Sequence, residues 1–434
     1  MKKLLATLLA LSMTLSLAAC GSKEEAAAPA ASSAAETKPW YTKPTEEVEL
    51  EVWYAVSGVT GETFEAQVKQ YMDENPNIKI EISYAGSYSD AAEKISANLL
   101  TGTAPDVALI SAAPLYTGAR GDYTIETLIE DPEFDKDDIF SGVWEYAMFD
   151  GRICSIPYGI SVPVLYYNKD IIEAAGIDME TEAPETWDEL YALAERAQAN
   201  GNINNASAFY GFEVNDAPWL FKSMLNQNGN TIIDSANGNA PVYNDAAAAE
   251  VAAFWQKLAV NGLMPVGEHS NADKTFLAGN CAFNVSSSIR LARWTDGTVN
   301  YGVLPMPSFA KESVALGGNM LTLFPKEDDA KIAAAWDLIK YLTNTENHTA
   351  FSMATGYLPI HESAAESQEL KAYFAEDPRR EVVFNMLSNS WSYWHFDEMG
   401  TMDWILGDML TSIEGGTDVQ TALDKGVEDL EREM

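Results

Sequence analysis

The chain is short of cations. Its 434 residues hold 27 Lys and Arg against 65 Asp and Glu, a formal net charge of −38. No cluster of Lys or Arg supplies the basic footprint that DNA or RNA binding needs, so no nucleic-acid partner is expected. Acidity on this scale favours solubility and says nothing about fold. Cysteine is equally scarce, at three residues: Cys20, Cys154 and Cys281. Two thiols in the body set no disulfide framework in a chain of this length. Both are expected to be buried and free, although their separation in sequence leaves a bridge open. Enzyme and metal signatures are missing: there is no phosphate-binding glycine loop and no His-Glu-x-x-His pair. Of the four histidines, His361 has Glu362 beside it but no second histidine at helical spacing, and His269, His348 and His395 show no ligand spacing. The acidic run Asp131, Glu133, Asp135, Asp137, Asp138 lacks the glycine an EF-hand needs and reads as a solvated loop. Neither metal nor cofactor is expected.

Long apolar runs are absent after the first residues. Lys2 and Lys3 precede an apolar stretch from Leu4 to Leu17, closed by Ala18-Ala19-Cys20. That stretch is shorter than the roughly 20 residues a bilayer core demands, so it reads as a secretory signal over residues 1–19. The cysteine after the small pair resembles a bacterial lipobox, in which the Cys20 thiol is acylated. Residues 20–47 are mostly Ala, Ser, Glu, Lys and Pro and are expected to stay a flexible tether. The remaining body, from Val48 to the end, exceeds what one hydrophobic core usually serves, and two lobes are expected.

The early body alternates strands and helices. Val48, Leu50 and Val52 alternate with glutamates into Trp53-Tyr54; Phe64, Val68, Tyr71 and Met72 fall on one helical face until Asn75-Pro76. Ile78, Ile80 and Ile82 form a second alternation. Asp90 is placed to cap a helix carrying Ile95, Leu99 and Leu100, and Val107 to Ile110 suits a strand covered on both faces. This order implies an α/β layer fold. Further on, Thr186-Trp187-Asp188-Glu189 has capping-box spacing, and helices are expected from about Asp245 to Val260 and from Ala330 to Leu342. Trp255 and Trp336 fall on the apolar stripes of these last two and read as core.

Several segments carry a family resemblance. They are Leu165-Tyr166-Tyr167-Asn168-Lys169-Asp170, Ala175-Gly176-Ile177-Asp178 and Pro184-Glu185-Thr186-Trp187-Asp188-Glu189-Leu190, followed by Gly317-Gly318-Asn319 and Thr355-Gly356-Tyr357-Leu358-Pro359. In this order the chain resembles the family 1 extracellular solute-binding proteins of ABC importers, in the branch of sugar and glycerol-3-phosphate binders. The resemblance implies a two-lobed, type II periplasmic-binding-protein-like α/β fold with a hinge between the lobes. Carried over, the crossings fall near Ile156–Val162, Asn284–Ile289 and Tyr341–Asn347. The first lobe is then 48–157 plus 288–342, and the second 158–287 plus 343–434.

The same resemblance places ligand in the cleft, where a sugar needs aromatic planes and a few fixed donors and acceptors. The expected contacts are Ser57 and Gly58 after the first strand, Tyr88 after the second, Ser161 at the first crossing, and Trp219. Ser287 and Ser288 at the second crossing, Gly318 and Asn319, Tyr357, and Trp391 and Trp394 of the late aromatic cluster complete the set. The position that carries a glutamate in glycerol-3-phosphate binders falls at about Ala112. The stretch that carries their arginine reads Glu398 to Met402 and has no basic residue. A phosphate held without arginine loses its strongest hydrogen bonds, which turns the expectation toward a neutral sugar.

The expected protein is thus a monomeric, lipid-anchored extracytoplasmic lipoprotein that binds a carbohydrate and delivers it to ABC permease subunits. It touches the membrane only through its anchor and is not an enzyme. A binder of glycerol-3-phosphate-type or other polyol ligands is the nearest alternative, and a secreted glycoside hydrolase is the alternative from another class.

Overall fold

A computed structural model describes residues 39–111, 124–295, 297–324, 326–396 and 398–434. The signal segment 1–19, Cys20, the first part of the tether and Ala112 lie outside them. Two sheets organise the body. The first takes β1 (Val48–Tyr54), β2 (Ile78–Tyr84), β3 (Val107–Ile110), β4 (Ile156–Ser161) and, much later, β9 (Gly317–Leu323), in the spatial order β2-β1-β3-β9-β4. β1 runs parallel to β2 and β3, whereas β9 is antiparallel to both neighbours. The second sheet takes β5 (Pro163–Asn168), β6 (Tyr210–Val214), β7 (Cys281–Ser287) and β8 (Tyr301–Leu304), in the order β8-β5-β7-β6.

Helices cover both sheets. They include α1 (Val59–Glu74), α2 (Tyr88–Thr101), α3 (Trp187–Asn200), α4 (Ala217–Gln227), α5 (Ala246–Val260), the short α6 (Arg290–Arg293), α7 (Asp329–Thr343), α8 (Thr345–Thr355), α9 (Met399–Glu414) and α10 (Val419–Glu433). The local signals set several boundaries. Thr186 and Glu189 form the expected capping box at the start of α3, and Asp245 caps α5. At α2 the cap is Ser87, one step earlier than expected, with Asp90 as its reciprocal partner. Trp255 and Trp336 are fully buried, so their apolar stripes do face the core. Leu100, read as part of such a stripe, is 90% exposed, one residue before α2 ends at Thr101.

Five other expectations need correcting. The body begins before Val48: Trp40 is buried, Tyr41 donates to the Thr127 carbonyl at 2.6 Å, and the Pro44 and Glu46 carbonyls accept from Asn77. Two aromatic rings in the supposed tether supply the apolar area that the Ala/Ser/Glu stretch before them lacks. Strand β8 pairs with β5 in the second sheet, so the chain leaves that sheet's lobe near Leu316–Gly317 and not near Asn284–Ile289. Helix α8 packs on α1 and α7 beside the first sheet, and Leu358 pairs with Ile160, so the last crossing falls after α8. The acidic run is not simply solvated. Asp131 is 3% exposed and accepts from the Trp336 indole and Lys340 ammonium, both at 2.8 Å, while Asp138 meets His361 and Ser363. Cys154 and Cys281 are both free; Cys281 is buried, but Cys154 is only half-buried.

Candidate functional site

β1 and β2 end at Tyr54 and Tyr84, and the carboxyl edge of a parallel sheet is where open α/β folds place ligands. Tyr88 opens α2 at this edge, held by the Ser87–Asp90 capping box. Asn319 sits on β9, fully buried. Its Oδ1 accepts the Gly159 N–H at 3.0 Å and its Nδ2 donates to the Tyr88 hydroxyl at 3.3 Å. The Tyr88 hydroxyl also interacts with that of Tyr357, whose ring stacks on Phe351 at 5.9 Å and 9°. Tyr146, a residue the sequence did not single out, donates to the Gly318 carbonyl at 3.1 Å. Burial raises the pKa of both Tyr88 and Tyr357, so their hydroxyls stay protonated and offer both donor and acceptor character.

A second group is aromatic. Trp219, in the first turn of α4, lies half-buried with its indole N–H toward the Leu316 carbonyl at 3.3 Å and its ring against Gly317. Trp391 and Trp394 are half-buried, and their indole nitrogens have no hydrogen-bond partner. Trp391 lies on a short strand paired with Val314–Ala315, and Trp394 packs over Gly151. Tyr393 between them faces the Lys222 ammonium, 3.8 Å from its ring centroid, and Lys222 in turn pairs with Asp403 at 2.6 Å. Asp216 is exposed, yet desolvation, followed by repulsion from Asp403, raises its carboxyl pKa.

The remaining expected contacts are distributed differently. Ser161 is buried and paired in register with Gly317. Ser288 accepts from the Val162 N–H at 3.2 Å, and its own N–H donates to the Val162 carbonyl at 2.9 Å; it clamps the strand crossing. Ser287 is half-buried with an unpartnered hydroxyl. Ser57 and Gly58 are exposed at the start of α1, and the residue there that engages another part of the site is Thr60, which meets Arg293. Arg293 was not among the expected contacts; the pair Arg290 and Arg293 directly after an apolar strand, in a chain poor in cations, was the available signal. Among the described residues no group of His, Cys, Asp and Glu has the arrangement of a metal site.

Two helix-covered sheets joined by several chain crossings are the architecture of a binding protein of the two-lobed periplasmic type. Solved structures agree on the fold: a cyclic α-maltosyl-1,6-maltose binding protein from Arthrobacter globiformis superposes with a TM-score of 0.75 at 22% identity, covering 89% of this chain and 98% of that one. UgpB from Mycobacterium tuberculosis, in complex with glycerophosphocholine, gives 0.74 at 22% identity, covering 89% and 99%. Residues 66–378 match the family of bacterial extracellular solute-binding proteins, and the chain belongs to that family. Among curated relatives, the sn-glycerol-3-phosphate-binding periplasmic protein UgpB of Rhizobium meliloti (strain 1021) is 25% identical over 402 residues, 88% of this chain and 92% of the relative. The protein is thus an extracytoplasmic binder of a small solute. Among the described residues no helix is long and apolar enough to cross a membrane.

Proposed function

We propose that this protein captures a carbohydrate between its lobes and hands it to the permease of an ABC importer, as a monomer and without chemical change. The observation that carries the reading is the Tyr88–Asn319–Tyr357 cluster. It fixes hydroxyl and amide groups beside one another, and the half-buried indoles of Trp219, Trp391 and Trp394 would supply the aromatic planes. Hydroxyl groups of a sugar need such partners, because an unpaired buried polar group costs roughly 1–3 kcal/mol. Gly318, Ser161 and Ser287 complete the wall near the crossing, and Ser288 holds the crossing itself. Strand membership supports lobes of 48–161 with 317–355 and of 163–316 with 362–434. The Leu17-Ala18-Ala19-Cys20 segment supports acylation of Cys20 and anchorage to the cell membrane through that lipid alone.

Titration calorimetry with maltooligosaccharides, followed by chromatography of the recovered sugar, tests this. One site per chain and unaltered sugar are expected, and a ligand at 100 times its Kd then stabilises the fold by about 2.7 kcal/mol. Release of new reducing ends over many turnovers would show a hydrolase instead.

A further inference from the structure

Two buried oxygens on neighbouring strands lack a donor. Glu213, on β6, is 2% exposed and its Oε2 has no partner; Asn284, on β7, is fully buried and its Oδ1 has none either. The two are register partners on adjacent parallel strands, so their side chains leave the same face of the sheet side by side. The short helix Ala272–Leu277 meets them there. Its Thr275 bonds to the Glu213 carboxyl, and its Asp273 accepts from Asn284 Nδ2 at 3.0 Å. Asp273 also accepts from Arg290 Nε at 2.7 Å, and the same nitrogen lies 3.4 Å from the Ser286 hydroxyl. Arg290 opens α6, two residues after Ser288, which clamps the crossing at Val162. α6 also carries Arg293, on which the Tyr357 and Tyr88 hydroxyls act. The charged groups that press on Glu213 are Asp273 and Glu268, both acids, and its own charge bears on Cys281 of β7. α3, packed on β6, contributes buried Leu190, Ala194 and Ala197.

An amide has one donating side and one accepting side. With Nδ2 on Asp273, Asn284 offers Glu213 an oxygen; turned over, it would offer Asp273 an oxygen and lose the bond it has. Asn284 therefore serves both carboxyls only if one of them carries a proton. Asp273 already receives the Arg290 guanidinium, so the proton falls to Glu213. We propose that Glu213 is a positioning residue: its carboxylic acid donates to Asn284 Oδ1, and the chain Glu213–Asn284–Asp273–Arg290 holds α6 in place beside the solute site. Burial, which pushes this carboxyl up to about 8, keeps the proton on it at neutral pH. Once the proton leaves, the carboxylate draws the Asn284 N–H away from Asp273. Asp273 then meets an oxygen and shifts, and Arg290, at the head of a single-turn helix, moves with it. Ionisation thus loosens the solute site without touching the solute. That consequence rests on the reading of the gap as a saccharide site, whereas the proton link does not.

The test follows the wild type, Glu213→Gln and Asn284→Ala across neutral and mildly alkaline pH. Infrared difference spectra between wild type and Glu213→Gln are expected to show the C=O band of a buried carboxylic acid at neutral pH, fading as pH passes about 8. The Nε–H resonance of Arg290, assigned with Arg290→Lys, is expected to shift over the same range in the wild type. It is expected to stay in place in Glu213→Gln, whose amide donates to Asn284 as the acid does. In Asn284→Ala the chain is cut, and the displaced resonance is expected at every pH. Calorimetry with maltotriose is expected to give an affinity that falls by about 3- to 10-fold across the range in the wild type and holds in Glu213→Gln. A carboxylate at neutral pH would put a water or a cation between the two oxygens and overturn the inference. So would an acid band that titrates while the Arg290 resonance, or a measurable maltotriose affinity, stays constant in the wild type. Failure of every protein to bind maltotriose would count against the carbohydrate reading, with the band and the resonance still deciding this one.

Discussion

Gly318→Ala is expected to destabilise the protein by at least about 3 kcal/mol and to abolish ligand binding. Gly318 has φ +128°, a conformation that side chains rarely tolerate, and a Cβ placed on it would lie 1.7 Å from the Gly159 carbonyl oxygen. That neighbour is backbone on the paired strand, so it cannot swing aside as a side chain could. The pairing of β9 with β4 must therefore open, and it already carries a register irregularity between Asn319 and Met320. Asn319 follows directly, and with it go the bond to the Gly159 N–H and the contact with Tyr88. Stability and site thus fail together. Gly58→Ala is the control: φ is +60°, but nothing lies within 4 Å of the added carbon, so a loss near 1 kcal/mol is expected. Urea denaturation of both variants, with calorimetry on the same samples, checks the contrast; equal and small losses would mean that the strand contact at Gly318 is not as close as described.

Glu213→Gln is expected to change the dependence of stability on pH. Glu213 is 2% exposed on β6, and its Oε2 has no partner; nor does Oδ1 of Asn284, which stands opposite it in register on β7. Burial pushes the carboxyl up to about 8, against the lowering effect of a bond with Thr275 and with further upward pressure from Asp273 and Glu268. Below the unfolded value near 4.5, both states hold the proton and the native state carries no penalty. As pH rises from there to about 8, the unfolded chain releases a proton that the native state keeps, so stability falls, by on the order of 4 kcal/mol across the window. The glutamine variant has no such proton to lose, so its advantage over the wild type is expected to grow as pH rises from about 4.5 and to be largest near pH 8. The acid side behaves oppositely. Burial lowers His348 to about 3 and His395 to about 4 from 6.5, so both proteins lose stability alike as pH falls from about 6.5 toward 4, and the difference between them isolates Glu213. Denaturant midpoints from pH 4 to pH 9 measure this; a difference between variant and wild type that does not change with pH would place the titrating group elsewhere.

Local order was readable because its causes are local. Alternation over Val48–Val52 and Ile78–Ile82, the Thr186–Glu189 box and the stripe around Trp255 depend on residues a few positions apart, and each formed where expected. What failed depends on distant partners. Tyr301–Leu304 could extend either sheet by pattern alone, and only its pairing with β5 sets where the chain crosses. Asp131 looks like one acid among five until Trp336 and Lys340, two hundred residues later, fold over it. The site shows the same division. Tyr88, Asn319 and Tyr357 were found through motif positions and meet in space. Ser288 was singled out for its hydroxyl, but that hydroxyl is already bound to Val162, a partner no spacing rule foretells. Trp219 also spends its indole N–H on the crossing at Leu316, so its loss would disturb lobe contact as well as ligand.

The central claim is that one solute touches both walls and holds them together, since closure adds contacts the open form lacks. Small-angle X-ray scattering of the protein with and without a saturating saccharide, identified beforehand by thermal shift, addresses it directly. The account predicts a smaller radius of gyration in the bound sample. The same radius with calorimetry showing full occupancy would contradict it, because the ligand would then be held by one lobe alone.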